Sequence, residues 1–536
     1  MELAPLIDAL SSPAAYPGLA GADRVEVIQT HISVVFLVGE HVFKLKKPVK
    51  FAFVDYSTPA RRRELCAAEV ALNRRLAADV YLGVVPVTCS NGHVQIGGEG
   101  EVIDHVVHMR RLPDERTLEA WLARGALPPG TMAALGRRLA AFHREAARGP
   151  EIAAHGDLDA VAGNCRDNFS QTAALGLEGI PAALLDRLAA ATDAELARQG
   201  PTIAARAARG VPCDSHGDLR LDHVYLFPER VDDPLVIIDC IEFNDAFRYG
   251  DPAVDLAFLV MDLRYHGHLA DADALVASYV EAADDAEAAA LLPLYTAYRA
   301  SVRGKVEAFR ASEPEIPAPA RQEALRSSIR HFLLALRELD PARGPALLLI
   351  AGLPGTGKST LAAGLAEPWG AATIRSDVVR KGLAGLAPDE SGRDAIDGGI
   401  YAPEMTARTY AACLEEARAH LSAGEPVIVD ANFKSDDQRQ PFAELAAELG
   451  VPLAFLVCEA GEAVILGRLA ARRGDASDAD EAVYLHAREQ WEAPTGPLAA
   501  RSRVVDASGS VAETRARAQA ALAALAFPCE GGPWSA

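Results

Sequence analysis

Residues 352 to 359 read GLPGTGKS and satisfy the pattern GxxxxGK[ST]. An apolar run, ALLLIA, leads into them and a helix-like TLAAGLAE leads out, and this strand-to-helix context identifies a phosphate-binding loop. Gly352, Gly355 and Gly357 let successive backbone N–H groups turn toward phosphate oxygens, with Leu353, Pro354, Thr356 and Thr360 completing the nucleotide-contacting stretch. Lys358 is expected to bridge the terminal phosphates, and Ser359 to offer its hydroxyl to Mg2+. Farther along, the strand TIRSD ends at Asp377, with Arg380 one helical turn on. Ligands gather at the carboxyl ends of parallel strands, so Asp377 is expected where an acceptor hydroxyl meets the phosphates. PVIVDANF ends another strand and places Asp430 to hold Mg2+ through water. Arg468, Arg472 and Arg473 share a helical stretch before a polar segment, the makings of a lid over the phosphoryl group, with Arg472 assigned to transfer.

A second chemistry-bearing word occurs twice: HGDL stands at 155 to 158 and again at 216 to 219. Two-lobed kinases need a carboxylate near the attacking hydroxyl, a metal ligand five residues later, and an acidic metal ligand on a following strand. From Asp218 the chain runs LRLDHVYL and, about twenty residues on, LVIIDC delivers Asp239 at a strand end, followed by RYGDPAVDLAFL. From Asp157 the same distance reaches AALGLEGIPAAL, with neither strand nor Asp. The later copy is therefore the catalytic one, and Asp157 or Asp159 is expected to cap a turn.

These residues need elements to hold them. The first hundred residues alternate β-branched runs with turns (VEVIQT, SVVFLV, a Gly39-Glu40 turn, HVFKLKK), which predicts antiparallel strands. RRRELCAAEVALNRRLAADV has helical spacing, VPVTC, HVQIGG and EVIDHVVHM return to strand character, and residues 117 to 208 are Ala/Leu-rich and helical. Strands first and helices after predict a two-lobed α+β domain, small lobe about 20–112 and helical lobe about 113–337. Pro and Gly at LDPARGP set the domain boundary near 342, giving domains 1–342 and 343–536. Beyond it, ALLLIA, ATIRS, PVIVDA, PLAFLVCE and RVVDAS alternate with amphipathic helices, which predicts an α/β fold with a parallel sheet.

At 536 residues, half of them apolar, the chain can bury two or three cores. The N-terminus lacks the pattern of a secretory signal and no run is long enough to span a membrane, so a cytoplasmic location is expected. Eight scattered cysteines show no metal-ligand spacing. A net charge of −21 argues against an extended nucleic-acid surface. Four of only eight lysines fall in KLKKPVK, residues 44 to 50, where a compact ammonium suits better than a guanidinium fork.

Residues 25 to 310, carrying HVFKLKKPV, EVALNRRL, HGDLRLDH and IIDC followed by GDPAVDLA, resemble the aminoglycoside phosphotransferases and their kinase-like superfamily. The resemblance implies that Lys44 contacts nucleotide phosphates, that Glu69 holds it by an ion pair, and that Met109 lies at the hinge against the adenine. It makes Asp218 the base and Asp239 the Mg2+ ligand, with Asp255 bracing the loop. Strand alternation puts Val42, Lys44 and Lys46 on one face, so Lys46 competes with Lys44, as Glu64 does with Glu69. One departure stands out: His223 occupies the position where the superfamily has Asn. Mg2+ prefers oxygen ligands, so either His223 serves through water, or Asp222 takes over, or this lobe is catalytically weak. Residues 345 to 527, through SDVVR, VIVDANF and RRGDASDA, resemble small P-loop kinases such as gluconate kinase, the kinase half of polynucleotide kinases and zeta-type toxins, in which the Asp matching Asp377 takes the acceptor proton. The fusion resembles bifunctional aminoglycoside phosphotransferase and ATP-binding proteins. The expectation is an ATP- and Mg2+-dependent tandem kinase acting on small-molecule hydroxyls. The alternatives are a nucleotide-sensing first domain beside an active P-loop kinase, and a polynucleotide 5'-hydroxyl kinase.

Overall fold

The computed structural model describes residues 2–19, 23–51, 54–387, 390, 398–471, 477 and 479–528. Contacts divide the chain into two compact units, one of residues 1–161 and 199–296, the other of 162–198 and 297–536. The expected single cut near 342 thus has a more interleaved counterpart, because residues 162–198 and 297–342 group with the P-loop half.

In the first unit, strands β1 (Val25–Gln29), β2 (Ser33–Val38), β3 (His41–Lys46), β4 (Tyr81–Ser90), β5 (His93–Ile96) and β6 (Glu101–Arg110) form one sheet. Its order is β1-β2-β3-β6-β4-β5, all antiparallel. β3 lies inside the sheet, with Lys44 opposite Val35 on one side and Val107 on the other. The connection after β3 leads to helix α1 (Pro59–Asn73), which starts where it does because Thr58 Oγ1 accepts the Arg61 N–H at 3.2 Å and Pro59 occupies the first helical position. Cys66 and Val70 of α1 pack on Val107 and Tyr81, which seats the helix on the sheet. A buried pair, Arg62 to Asp104 at 2.7 Å, fixes its rotation.

Helix α2 (Thr131–Glu145) lies so close to helix Leu269–Ala283 that a Cβ at Gly136 would sit 2.8 Å from the Leu275 carbonyl oxygen. Glycine is needed there by the close approach alone. A short antiparallel ribbon, β7 (Val224–Leu226) with β8 (Leu235–Ile237), follows the second HGDL and carries the chain to Asp239. The first HGDL sits at the start of helix Leu158–Ala174, where Asp157 Oδ1 accepts the Ala160 N–H at 2.8 Å, an N-terminal cap.

The second unit is built on five parallel strands, β9 (Leu347–Ala351), β10 (Ala372–Arg375), β11 (Val427–Asp430), β12 (Leu453–Glu459) and β13 (Ser502–Asp506). Their order is β10-β11-β9-β12-β13, so the strand feeding GLPGTGKS is central and all five of its residues are buried. Helix Ala318–Leu339 packs against helix Asp436–Leu449. Arg337 Nη1 donates to the Gly450 carbonyl at 2.9 Å, and a Cβ at Gly424 would meet Leu336 Cδ2 at 2.7 Å. Those contacts explain why this helix groups with the parallel sheet. Among the described residues no helix is long and apolar enough to cross a membrane, and the seven described cysteines are free thiols.

Candidate active sites

In the first unit, the alternation of β3 brings both lysines to one carboxylate. Lys44 Nζ lies 2.9 Å from Glu69 Oε1 and Lys46 Nζ lies 2.6 Å from Glu69 Oε2. Glu64 is exposed and pairs with Arg61 instead. The two lysines differ in their second partners. Lys44 reaches Asp239 Oδ1 at 2.9 Å and stays partly exposed. Lys46 is fully buried, ion-paired to Glu242 and within 3.3 Å of the Tyr56 hydroxyl. Burial opposes both ammonium charges, but Asp239, Glu69 and Glu242 around Lys44, and Glu242 and Glu69 around Lys46, outweigh it and hold both pKa values well above the ordinary lysine value. Only Lys44 is open to a phosphate. Lys46, Glu242 and Tyr56 form the supporting network, and sequence reasoning missed Glu242 and Tyr56. Glu242 follows Asp239 by three residues in IIDCIEF, a charge set among apolar neighbours, and that was the available signal.

The loop carrying Asp218 is held from behind. Asp255 accepts N–H groups from His216 at 2.6 Å and Gly217 at 2.9 Å and faces His143 Nε2 at 3.2 Å. Gly217 has φ +89°, and a Cβ there would press on the Phe247 carbonyl at 2.8 Å. Burial pushes His216 down to about 4, so its ring is neutral and bonds the Ile238 carbonyl at 3.0 Å. Asp239 sits at φ +64°, left-handed backbone that a non-glycine residue adopts under constraint, with its N–H donated to the Tyr81 hydroxyl at 3.2 Å. Burial opposes its charge, yet Lys44 and His223 hold its carboxyl well below the usual range.

Asp218, His223 and Asp239 offer ligand atoms all within 4.8 Å of one another, a donor set that fits a divalent cation. Asp222 is taken up by an ion pair with Arg220. Met109 lies within β6, half-buried, and packs beside Val107 and Tyr81.

In the second unit the phosphate-binding loop bends between β9 and helix Lys358–Trp369, capped by Gly357 at φ +95°. A Cβ at Gly352 would lie 2.7 Å from the Cys458 carbonyl, so the first glycine is fixed by strand β12. Thr356 closes the loop, its N–H and hydroxyl both donating to the Leu353 carbonyl, at 3.2 and 2.8 Å. Arg468 Nη1 donates to the Thr356 carbonyl at 3.2 Å and Nη2 to the Ala507 carbonyl at 2.8 Å, so this arginine fastens the loop to the residue that follows β13. Arg472 and Arg473 lie outside the described residues.

Asp430 ends β11 buried, bonded by the Ser359 side chain and 3.4 Å from Arg375 Nε. Its Oδ1 has no hydrogen-bond partner, and burial outweighs Lys358 to raise its pKa. An orphaned carboxylate oxygen beside a serine hydroxyl fits Mg2+.

Asp377, in the first turn of helix Ser376–Leu383, opens into a cavity of about 740 Å3 that also reaches Pro354 of the loop. Tyr401, Tyr410 and Phe442 give it aromatic walls, with Lys434 and Asp437 among its polar groups. Arg380 lines it too, but its Nη1 donates to the Ile400 carbonyl and Thr406 Oγ1, both at 3.0 Å, and it stacks on Tyr401.

Residues 33–298 match the model of the phosphotransferase enzyme family, APH, and residues 347–494 match an AAA domain model, AAA_33. The chain is 34% identical over 474 residues to Uncharacterized protein Rv2004c of Mycobacterium tuberculosis, covering 87% of this chain and 91% of the relative. Uncharacterized protein Mb2027c of Mycobacterium bovis matches to the same extent, 34% over 474 residues. Among solved structures, a gluconokinase from Sinorhizobium meliloti 1021 aligns at 24% identity over 34% of this chain and 93% of its own, TM-score 0.25. A choline/ethanolamine kinase family protein from Mesorhizobium loti aligns at 16% identity over 62% of this chain and 99% of its own, TM-score 0.36.

Proposed function

Because the chain belongs to the family that fuses an aminoglycoside-phosphotransferase-like domain to a P-loop kinase domain, we propose that each half transfers the γ-phosphate of ATP to a hydroxyl of a small-molecule acceptor. The observation that carries this reading is a cavity lined both by Pro354 of the phosphate-binding loop and by Asp377. Nucleotide on one side and acceptor on the other put the attacking oxygen between them.

In the second unit the loop N–H groups and Lys358 hold the phosphates, and Ser359 and Asp430 would hold Mg2+, whose charge offsets that of the phosphate oxygens. Asp377 orients the acceptor O–H and accepts its proton as the new O–P bond forms. The bond from the γ-phosphorus to the bridging oxygen breaks, and ADP departs. In the first unit Lys44 holds phosphates, Asp218 receives the acceptor proton, and Glu69, itself held by Lys46, keeps Lys44 in place.

Among the described residues of the cavity, the carboxylates Asp377, Asp437 and Asp480 outnumber the cations Arg380 and Lys434, and Arg380 is already bonded to protein. That balance supports a neutral or cationic small molecule over a nucleic-acid end. The aromatic walls would stack the apolar face of such an acceptor.

The test is phosphate transfer from labelled ATP to a panel of metabolites and oligonucleotides, with the intact protein and its Lys358→Ala and Asp218→Ala variants. Two acceptor classes are expected, each lost in one variant only. If oligonucleotides alone are labelled, the small-molecule reading fails. Loss of all transfer with Lys358→Ala, together with nucleotide binding that survives in the first unit, would favour the sensing role that His223 suggests.

A further inference from the structure

The donor set of the first unit is mixed, and its geometry says how the imidazole is used. His223 Nδ1 lies 2.8 Å from the backbone carbonyl oxygen of Asp218. A carbonyl only accepts, so Nδ1 carries the hydrogen, which leaves Nε2 as the nitrogen whose lone pair a metal ion would take. This is the arrangement of metal-bound histidines, whose outer nitrogen is typically tied to a backbone carbonyl or a carboxylate.

Nε2 faces Asp239 Oδ2 at 3.7 Å. That gap is too wide for a hydrogen bond. It falls inside the roughly 3.0 to 4.2 Å that separate two ligands each about 2.1 Å from one ion. The other oxygen of Asp239 is engaged by Lys44 at 2.9 Å, which turns Oδ2 toward the ring. Asp222 Oδ1 is also 4.0 Å from Nε2, but Arg220 holds that carboxylate in a two-point ion pair. Asp218 Oδ2, 3.6 Å from Nδ1, supplies the second negative charge of the group.

We propose that the first unit binds a divalent first-row transition ion of the Mn2+ class in preference to Mg2+, with His223 Nε2 and Asp239 Oδ2 as its protein ligands. Mg2+ takes oxygen ligands and retains its waters, whereas imidazole suits the transition ions. An amide oxygen at position 223 would leave the site to Mg2+; the ring nitrogen moves the preference. The inference concerns cation binding and stands whether or not this unit transfers phosphate.

The experiment uses the intact, nucleotide-free protein and the metals alone. Free Mn2+ is followed by electron paramagnetic resonance during titration, with Mg2+ as competitor, and bound Mn2+ is examined by electron spin echo envelope modulation for coupling to a ligated nitrogen. One Mn2+ per chain with nitrogen coupling is expected, distinct from any oxygen-only Mn2+ at Ser359 and Asp430, and displaced by Mg2+ only at tenfold or greater excess, the order set by ligand type. His223→Asn should remove the nitrogen coupling and weaken Mn2+ at least about tenfold while leaving Mg2+ binding equal or tighter. Asp239→Asn should weaken both ions. Absence of a Mn2+ site, Mn2+ bound only without nitrogen coupling, or displacement by Mg2+ at equal concentration would each overturn the proposal. The spectrum of the unsubstituted protein decides the matter even if a variant fails to fold.

Discussion

Replacing Lys46 by methionine should damage the first unit far more than the same change at Lys44. Lys46 is wholly buried between Glu69, 2.6 Å away, and Glu242, whose side chain is 5% exposed. Without it Glu69 keeps Lys44 at 2.9 Å, but among the described residues Glu242 is left with the Tyr56 hydroxyl, at 2.6 Å. A buried carboxylate that loses its cation costs about 3–5 kcal/mol. In Lys44→Met, by contrast, Glu69 keeps Lys46, and Asp239, 44% exposed, can turn to water. That loss is about 1.5–3 kcal/mol, the worth of a charge-assisted hydrogen bond. Urea unfolding read by hydrogen exchange on peptides covering 41–46 and 59–73 isolates this unit from the other. Lys46→Met combined with Glu242→Gln should recover at least about 1 kcal/mol, because the stranded charge is gone. Equal losses for the two lysine variants, or no recovery in the double variant, would refute the reasoning.

Asp377→Asn should lower turnover on the second unit's acceptor about 10²- to 10⁴-fold with nucleotide affinity unchanged, measured by steady-state transfer and nucleotide titration; loss of nucleotide binding instead would make Asp377 a metal or structural residue. Asp218→Ala should cost the first unit a similar factor, whereas Asp157→Ala should leave transfer intact and cost about 0.5–2 kcal/mol of stability through the lost cap. His216 titrates near 4 when folded and near 6.5 when unfolded, so between those values the unfolded chain takes up a proton that the folded one refuses. The first unit should therefore lose stability as pH falls from about 6.5 toward about 4, and His216→Gln should flatten that slope in thermal melts.

The phosphate-binding loop was legible because its glycines, lysine and serine are consecutive and every role in it is local. The meeting of Asp218 with Asp239 was legible from spacing, since only the later HGDL is followed by a strand that leads to an Asp, and the structure brings ligand atoms of Asp218, His223 and Asp239 within 4.8 Å of one another. Lys44 and Lys46 could not be separated by alternation, which puts both on one face. What separates them is Glu242, brought in from 196 residues away. Arg468 read as part of a lid because helical spacing cannot tell a residue facing solvent from one facing the loop; its carbonyl partners belong to Thr356 and Ala507. The grouping of residues 297–342 with the parallel sheet was hidden for the same reason, being decided by contacts such as Arg337 with Gly450.

Two lysines gripping one glutamate have a bearing on control. Many kinases idle by swinging the helix that bears this glutamate away from the strand lysine and wake by swinging it back. Here release of Lys44 leaves Glu69 still anchored by Lys46, which is itself tied to Glu242 just beyond Asp239. Swinging the helix out would therefore break the buried Lys46 pair as well as the Lys44 pair, so the motion is opposed here by two ion pairs where a single lysine would oppose it with one.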